Sequence, residues 1–409
     1  MRRCLAFLRS VATLALVASC ASVPAARAAE PLGQVRTLPA QPGPHWVWVS
    51  DILLKRAALI DADGGSFLGM LPGGGSGILA PQRSRDGREF YQAETYYARG
   101  TRGERTDIVS ITDALTLQPK GEVVIPPKRC EHTSWVAGSA LSDDGRFFAV
   151  FNMNPATSLS IVDVAERRFV AEIDTPGCSL VYAAGTRRFL SLCANGTALV
   201  VTLDERGREA SKAHTEIWFD PKADPVTEKA ARRGDQWFFV SFEGVVHPVD
   251  VSGPALRFAE PWSLLSDADR KESWRVGGMQ QLALHAATGR LYALMHQGGV
   301  DTHKAPGTKV FVYDVDKRER VERIDLRNPT ASFVLERIAM PPGGAIDWLL
   351  QRALPNHGVE RIAVTQDDAP VLVAATAFPA TLAVYDARSG AYLRDVSEVG
   401  IATSYVAAP

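Results

Sequence analysis

Long apolar runs, basic clusters and catalytic spacings are all scarce in these 409 residues, and each scarcity removes a class of function. Beyond the N-terminal stretch no segment is long and apolar enough to cross a bilayer as a helix. Lys and Arg number 45 against 46 Asp and Glu, with no basic cluster, which argues against nucleic acid as a partner. The eight histidines (His45, His132, His214, His247, His285, His296, His303 and His357) form no His-x-x-x-His or His-x-His pair. No metal site is therefore read, and only a set assembled from distant parts of the chain would supply one. A G-x-S-x-G elbow is absent, so hydrolase chemistry has no motif to stand on. Gly73-Gly74-Gly75 lacks the following Lys-Ser/Thr of a phosphate loop and reads as a tight turn. Cysteine is rare, at five residues, two of them (Cys4 and Cys20) within the first 28.

Those first 28 residues read as an export signal. Arg2, Arg3 and Arg9 give a basic start, Val11 to Ala18 is apolar, and Ala26-Arg27-Ala28 is a cleavage site of the A-x-A type. Val17-Ala18-Ser19-Cys20 offers an alternative, lipidation at Cys20. Either way the expected location is the periplasm. Removing residues 1–28 takes away four arginines and no acid, and the formal charge moves from −1 to −5. Residues 29–44 are Pro-rich and should form an extended arm with no core of its own. An oxidising compartment allows cysteines to pair. Cys178 and Cys193 flank SLVYAAGTRRFLSL, whose Ala-Gly-Thr centre reads as a hairpin turn, so a Cys178–Cys193 disulfide is expected. Two buried free thiols are the alternative, and Cys130 is left as a small apolar filler.

What the chain does have is a rhythm. Apolar β-type runs end in Asp seven times, at Asp61, Asp113, Asp163, Asp204, Asp250, Asp314 and Asp386, at intervals of 41 to 72 residues. Each interval suits one four-stranded blade. An Asp carboxylate can accept a backbone N–H just downstream and so start a turn. Polar turns before aromatic-rich strands, as in GREFYQAET and GRFFAVFNM, repeat the pattern. The expected fold is all-β, a seven-bladed β-propeller over residues 45–409, because a closed ring leaves no exposed sheet edge. The last strand, about 401–407, has no hairpin partner and should close the ring by pairing in the blade of Val47 and Leu59. Two segments break the rhythm. Residues 262–276 read as a short helix capped by Ser266 or Asp267. An insertion at about 327–358 contains IDWLLQRAL, in which Ile346, Leu349, Leu350 and Leu354 can share one helical face. It is read as packing on its own blade, or alternatively as contacting a partner or forming a lid over the ring. The eight tryptophans are spread through the chain and expected in the core.

Several stretches carry a resemblance. They are Tyr97-Ala-Arg99-Gly-Thr-Arg102-Gly-Glu-Arg105-Thr-Asp107, CANGT at Cys193, PWSLLSDAD from Pro261, Trp274-Arg-Val-Gly277-Gly278, His285-Ala-Ala-Thr-Gly-Arg290-Leu-Tyr292 and His303-Lys304. Together they resemble the heavy (large) subunit of the tryptophan tryptophylquinone amine dehydrogenases, the methylamine and aromatic amine dehydrogenases. PWSLL and THKAP look closer to the aromatic-amine branch. The resemblance implies a propeller that has no catalytic residue of its own. It implies a small light chain carrying the tryptophan tryptophylquinone and the catalytic base, in a heterotetramer of two heavy and two light chains. The reaction implied turns a primary amine into an aldehyde and ammonia, with electrons passing to a blue-copper protein. It also places a first-blade phenylalanine at the mouth of the substrate channel. Here that region is Asp51-Ile52-Leu53-Leu54-Lys55-Arg56, shorter and without Phe, so Ile52, Leu53 and Leu54 become the channel candidates. The Arg99/Arg102/Arg105 cluster with Glu104 and Asp107 is read as a structural ion-pair network rather than a substrate clamp. The rival readings are a stand-alone periplasmic propeller that binds without redox chemistry, and a propeller hydrolase built round a central metal.

Overall fold

The computed structural model describes residues 37–74, 81–131 and 136–408. The expected leader, Cys20 and residues 29–36 of the Pro-rich arm lie outside the described residues. Among the described residues no helix is long and apolar enough to cross a membrane.

Strands of alternating apolar residues, each followed by a short polar turn, pair mainly with their sequence neighbours, and here they form seven antiparallel sheets. Blade 2 shows the plan from centre to rim: Gln82–Arg83, Glu89–Tyr97, Arg105–Asp113 and Pro119–Ile125. The inner strands of blades 3, 4 and 5 are Ser139–Leu141, Cys178–Ala183 and Ala231–Arg233. Blade 6 splits its inner position between Trp274–Val276 and Leu282–His285, and blade 7 begins with Arg361–Val364. Blade 1 is composite. Its inner strand, Thr403–Ala407, comes from the C-terminal end and pairs with Trp46–Asp51, Val49 facing Val406. Arg56–Asp61 and Phe67–Pro72 complete it. The ring is therefore closed by N- and C-terminal strands, as the unpaired last strand required.

All seven rhythmic aspartates stand at the end of the third strand of their blades, Asp204 one residue beyond it. In every one Oδ1 accepts a backbone N–H two or three residues on, at 2.7 to 3.1 Å. The repeat seen in the sequence is thus the third-to-fourth-strand turn, nucleated by a carboxylate. The core lies between blades. Phe147, Phe189 and Phe239, from blades 3, 4 and 5, are fully buried in one cluster. Each contributes roughly 1.5–3 kcal/mol relative to exposure.

Three helices interrupt the strands. Helix α1 (Asp267–Lys271) is capped by Ser266, whose hydroxyl accepts from Asp269 N–H while the Asp269 carboxylate takes Ser266 N–H. The rest of the expected 262–276 helix is strand, at Trp262–Ser263 and Trp274–Val276, because those residues complete the sheets of blades 5 and 6. The 327–358 insertion holds two helices: α2 (Pro329–Arg337), which the sequence reading missed, and α3 (Ala345–Ala353). Only half of the expected apolar face of α3 turns inward. Leu350 and Leu354 are half-buried, but Ile346 and Leu349 are exposed and Asp347 is the buried residue, because an ion pair with Arg327 holds the helix by its polar side. In the arm, residues 37–44 have no regular structure, and Leu38 packs beside Trp46 and Trp48.

Candidate functional site

Strand direction alternates within each blade, so the ring has two different faces. One carries the turns between strands one and two and between strands three and four. The other carries the loops between strands two and three and the connections from each rim strand to the next blade. The loop at 52–55 belongs to this second, loop-bearing face.

Asp51 organises that loop. It is 1% exposed, and its Oδ1 accepts the N–H groups of Leu53 and Leu54 at 2.9 and 2.8 Å. Its Oδ2 accepts Ala402 N–H at 2.8 Å and also Ile401 N–H. Ile52 N–H donates to Ala402 O at 3.1 Å. Gly400 must lack a side chain, since a Cβ there would collide with Asp51 Oδ2. One carboxylate therefore joins the loop to the strand that closes the ring. As a result Ile52 is half-buried, while Leu53 and Leu54 point outward at 63% and 39% exposure. The next aromatic group comes from blade 7. Thr403 N–H donates to Ala377 O at 3.0 Å, which lays the 376–381 loop along the same closing strand, and Phe378 stands on it 76% exposed. Phe378 was missed in the sequence because its neighbour is set by ring closure, not by spacing.

The loop-bearing face is apolar well beyond these residues. Met153, Ile217, Val300, Ile401 and the hairpin residues Ile338, Met340, Ile346, Trp348 and Leu349 are all exposed there. Among the described residues, no large apolar side chain is exposed in the turns of the opposite face. Such one-sided exposure makes this face the candidate binding surface.

Other groups singled out in the sequence are structural. Arg105 pairs with Asp107 at 2.8 Å, donates to Arg129 O at 2.6 Å, and lies 3.7 Å from Glu131. Arg99 and Arg102 are exposed and meet each other only through the backbone, Arg99 N–H to Arg102 O, so the expected cluster reduces to Arg105 with Asp107. Arg129, buried beside them, joins the network, and its distance in sequence hid it. Cys178 and Cys193 form a disulfide between directly opposed residues. His214 Nδ1 lies 3.7 Å from Cys193 Sγ, but sulfurs joined to each other offer no thiolate to a metal. Cys130 packs at the core edge, its Sγ 3.6 Å from Met153 Sδ. Gly74 N–H donates to Glu94, whose carboxyl burial pushes up. A cavity of about 270 Å³ between the inner strands of blades 1 to 5 includes Arg232, whose guanidinium is held at 2.7 Å by both oxygens of Asp143. These charged groups are engaged by the protein itself.

The chain matches the methylamine dehydrogenase heavy chain family over residues 50–342 and 343–408. It is 28% identical to the methylamine dehydrogenase heavy chain of Paracoccus versutus, over 84% of this chain and 73% of that one. With the heavy chain of Methylophilus methylotrophus it shares 27% identity, over 85% of this chain and 78% of that one. Among solved structures, a functionally unknown protein from Desulfotomaculum acetoxidans superimposes with a TM-score of 0.55 at 12% identity, over 89% of this chain and 99% of that one. The dihydro-heme d1 dehydrogenase NirN does so at 0.51 and 14%, over 94% and 77%. At those identities the two structures share the fold.

Proposed function

The chain belongs to the methylamine dehydrogenase heavy chain family, and we propose from that premise that it is the heavy subunit of a periplasmic quinoprotein amine dehydrogenase. The observation that carries the reading is the family match, which runs round the whole ring from residue 50 to 408. In this reading two such chains assemble with two small light chains, and the light chain supplies both the tryptophan tryptophylquinone and the catalytic base. The tryptophan tryptophylquinone would supply the two-electron acceptor for conversion of a primary amine and water to an aldehyde, ammonia and two protons. The electrons then pass singly to a blue-copper protein.

This chain's own residues bind and enclose. Leu53 and Leu54, on the loop fixed by Asp51, form part of the channel wall, and Phe378 supplies the aromatic surface that the first blade lacks. Apolar walls at a channel mouth exclude water and favour the uncharged part of an amine. Trp48, Trp262 and Trp274 are buried in the core as expected, and Trp237 Nε1–H donates to Ala183 O at 2.9 Å, but Trp348 is 59% exposed, against the expectation, and Trp135 lies outside the described residues.

The test is to co-express the chain with each small exported protein encoded by the neighbouring genes. Dye reduction by the purified assembly is then measured with amines from methylamine to phenylethylamine. Amine-dependent reduction that neither chain gives alone is expected. A chain that never recruits a small subunit and reduces no dye would instead be a stand-alone binding propeller.

A further inference from the structure

In the helical hairpin α2–α3, helix α2 buries Ala331 and Leu335, but α3 is turned the other way. Its one fully buried residue is Asp347, 3% exposed, which accepts from both ends of the Arg327 guanidinium at 2.9 and 2.7 Å, from Gly343 N–H at 2.6 Å and from Gln351 Nε2–H at 3.1 Å. Arg327 in turn lies 4.4 Å over the Tyr392 ring, and its N–H donates to Tyr385 OH at 2.8 Å, which fastens the hairpin to blade 7. Its outer side carries Ile338, Met340, Ile346, Trp348 and Leu349, between 39% and 59% exposed. A nine-residue helix normally turns such residues inward. Here an ion pair that is costly to bury holds the opposite orientation.

We infer that this outer side is a docking surface for the small light chain, an extension of the apolar face beyond the 52–54 loop; the inference rests on the heavy-subunit reading. Two observations select that occupant. The first is continuity. Ser397 Oγ–H donates to Glu336 at 3.0 Å, and Ser397 starts the connection whose far end, Ile401 and Ala402, is bound by Asp51. The hairpin thus stands on the loop-bearing face, tied through bonded segments to the channel loop. The second is charge. The exposed Arg352 and Arg337 lie over the rings of Trp348 and Phe333, at 4.3 and 5.0 Å. On α3 itself the one carboxylate, Asp347, is spent on Arg327, so Arg352 is the charge its outer side presents. A second copy of this chain would bring arginine against arginine. The partner that fits presents an apolar patch rimmed by carboxylates.

The test compares light-chain binding by the wild-type heavy chain and by an Ile346→Ser/Trp348→Ser/Leu349→Ser variant, with thermal unfolding recorded for each free heavy chain. These side chains are exposed, so the variant should unfold at the wild-type temperature and bind the light chain at least about ten-fold more weakly. An Arg352→Glu variant, which keeps the apolar residues, should weaken binding in a salt-dependent way. Unchanged binding by both variants, with the wild type assembling normally, overturns this inference and leaves the amine dehydrogenase reading intact. So would loss of heavy-chain self-association in the variant without change in light-chain affinity. Failure of the wild type to bind any light chain overturns the reading itself.

Discussion

At the residue scale the account turns on Asp51, Phe378 and the turn aspartates. Asp51 accepts four backbone N–H groups, two from the 52–54 loop and two from 401–402, in a site with almost no water. Replacing it by Ala should cost about 3 kcal/mol or more, because several N–H groups lose a charged acceptor at once; denaturant unfolding of the purified chain measures this. Its importance could not be read from sequence, since two partners lie 350 and 351 residues away. Phe378→Ala should leave stability within about 0.5 kcal/mol, the side chain being exposed. In the assembled enzyme it should raise KM for aromatic amines more than for methylamine, and equal effects on both would remove Phe378 from the channel wall. The turn aspartates were legible because each carboxylate and the N–H that donates to it are separated by only two or three residues. Hydrogen bonds from Ser252, with Arg257 beside it, hold the Asp250 carboxyl down at about 2, below the usual 3.8. Turn N–H groups likewise lower Asp113, Asp314 and Asp386. A folded-state pKa below the unfolded one gives stability that is present above about pH 4 and lost as pH falls toward 2. Asp250→Asn should therefore flatten the acid limb of a Tm-against-pH curve, and an unchanged limb would remove this cause.

At the scale of elements, the hairpin and the disulfide separate what periodicity can show from what it cannot. The pattern IDWLLQRAL announced a helix with an apolar side, and that helix forms. Periodicity says that a face is apolar, not where it points; the direction came from Asp347 meeting Arg327, twenty residues back. Helix α2 did carry a signature, Asn328 as N-cap followed by Pro329, but its apolar residues were short of a full stripe. Asp347→Ala should leave the Arg327 charge buried and unpaired, at about 3–5 kcal/mol. Because the hairpin is peripheral, the loss should appear as faster proteolysis within 338–344 with the rest of the chain resistant. Proteolysis at wild-type rates would show that Asp347 is not the anchor. The disulfide closes a separation of 15 residues, and Cys178→Ser/Cys193→Ser should lower stability by about 3 kcal/mol, read from unfolding under non-reducing conditions.

For the whole molecule, the ring was legible from seven carboxylate turns and one orphan strand, because each blade is a local meander. Which face binds was not, because it emerges only when loops from distant blades are gathered on one side. Closure is the property on which both depend. A chain lacking residues 401–409 would leave Trp46–Asp51 as an open edge and strip Asp51 of two donors, and it should aggregate rather than fold. The most direct test of the central claim is hydrogen–deuterium exchange on the heavy chain with and without its light chain. The account predicts slowed exchange in 52–55, 376–381, 397–402 and the α2–α3 hairpin, with the turns after the seven aspartates unchanged. Protection confined to those aspartate turns, on the opposite face, would contradict it.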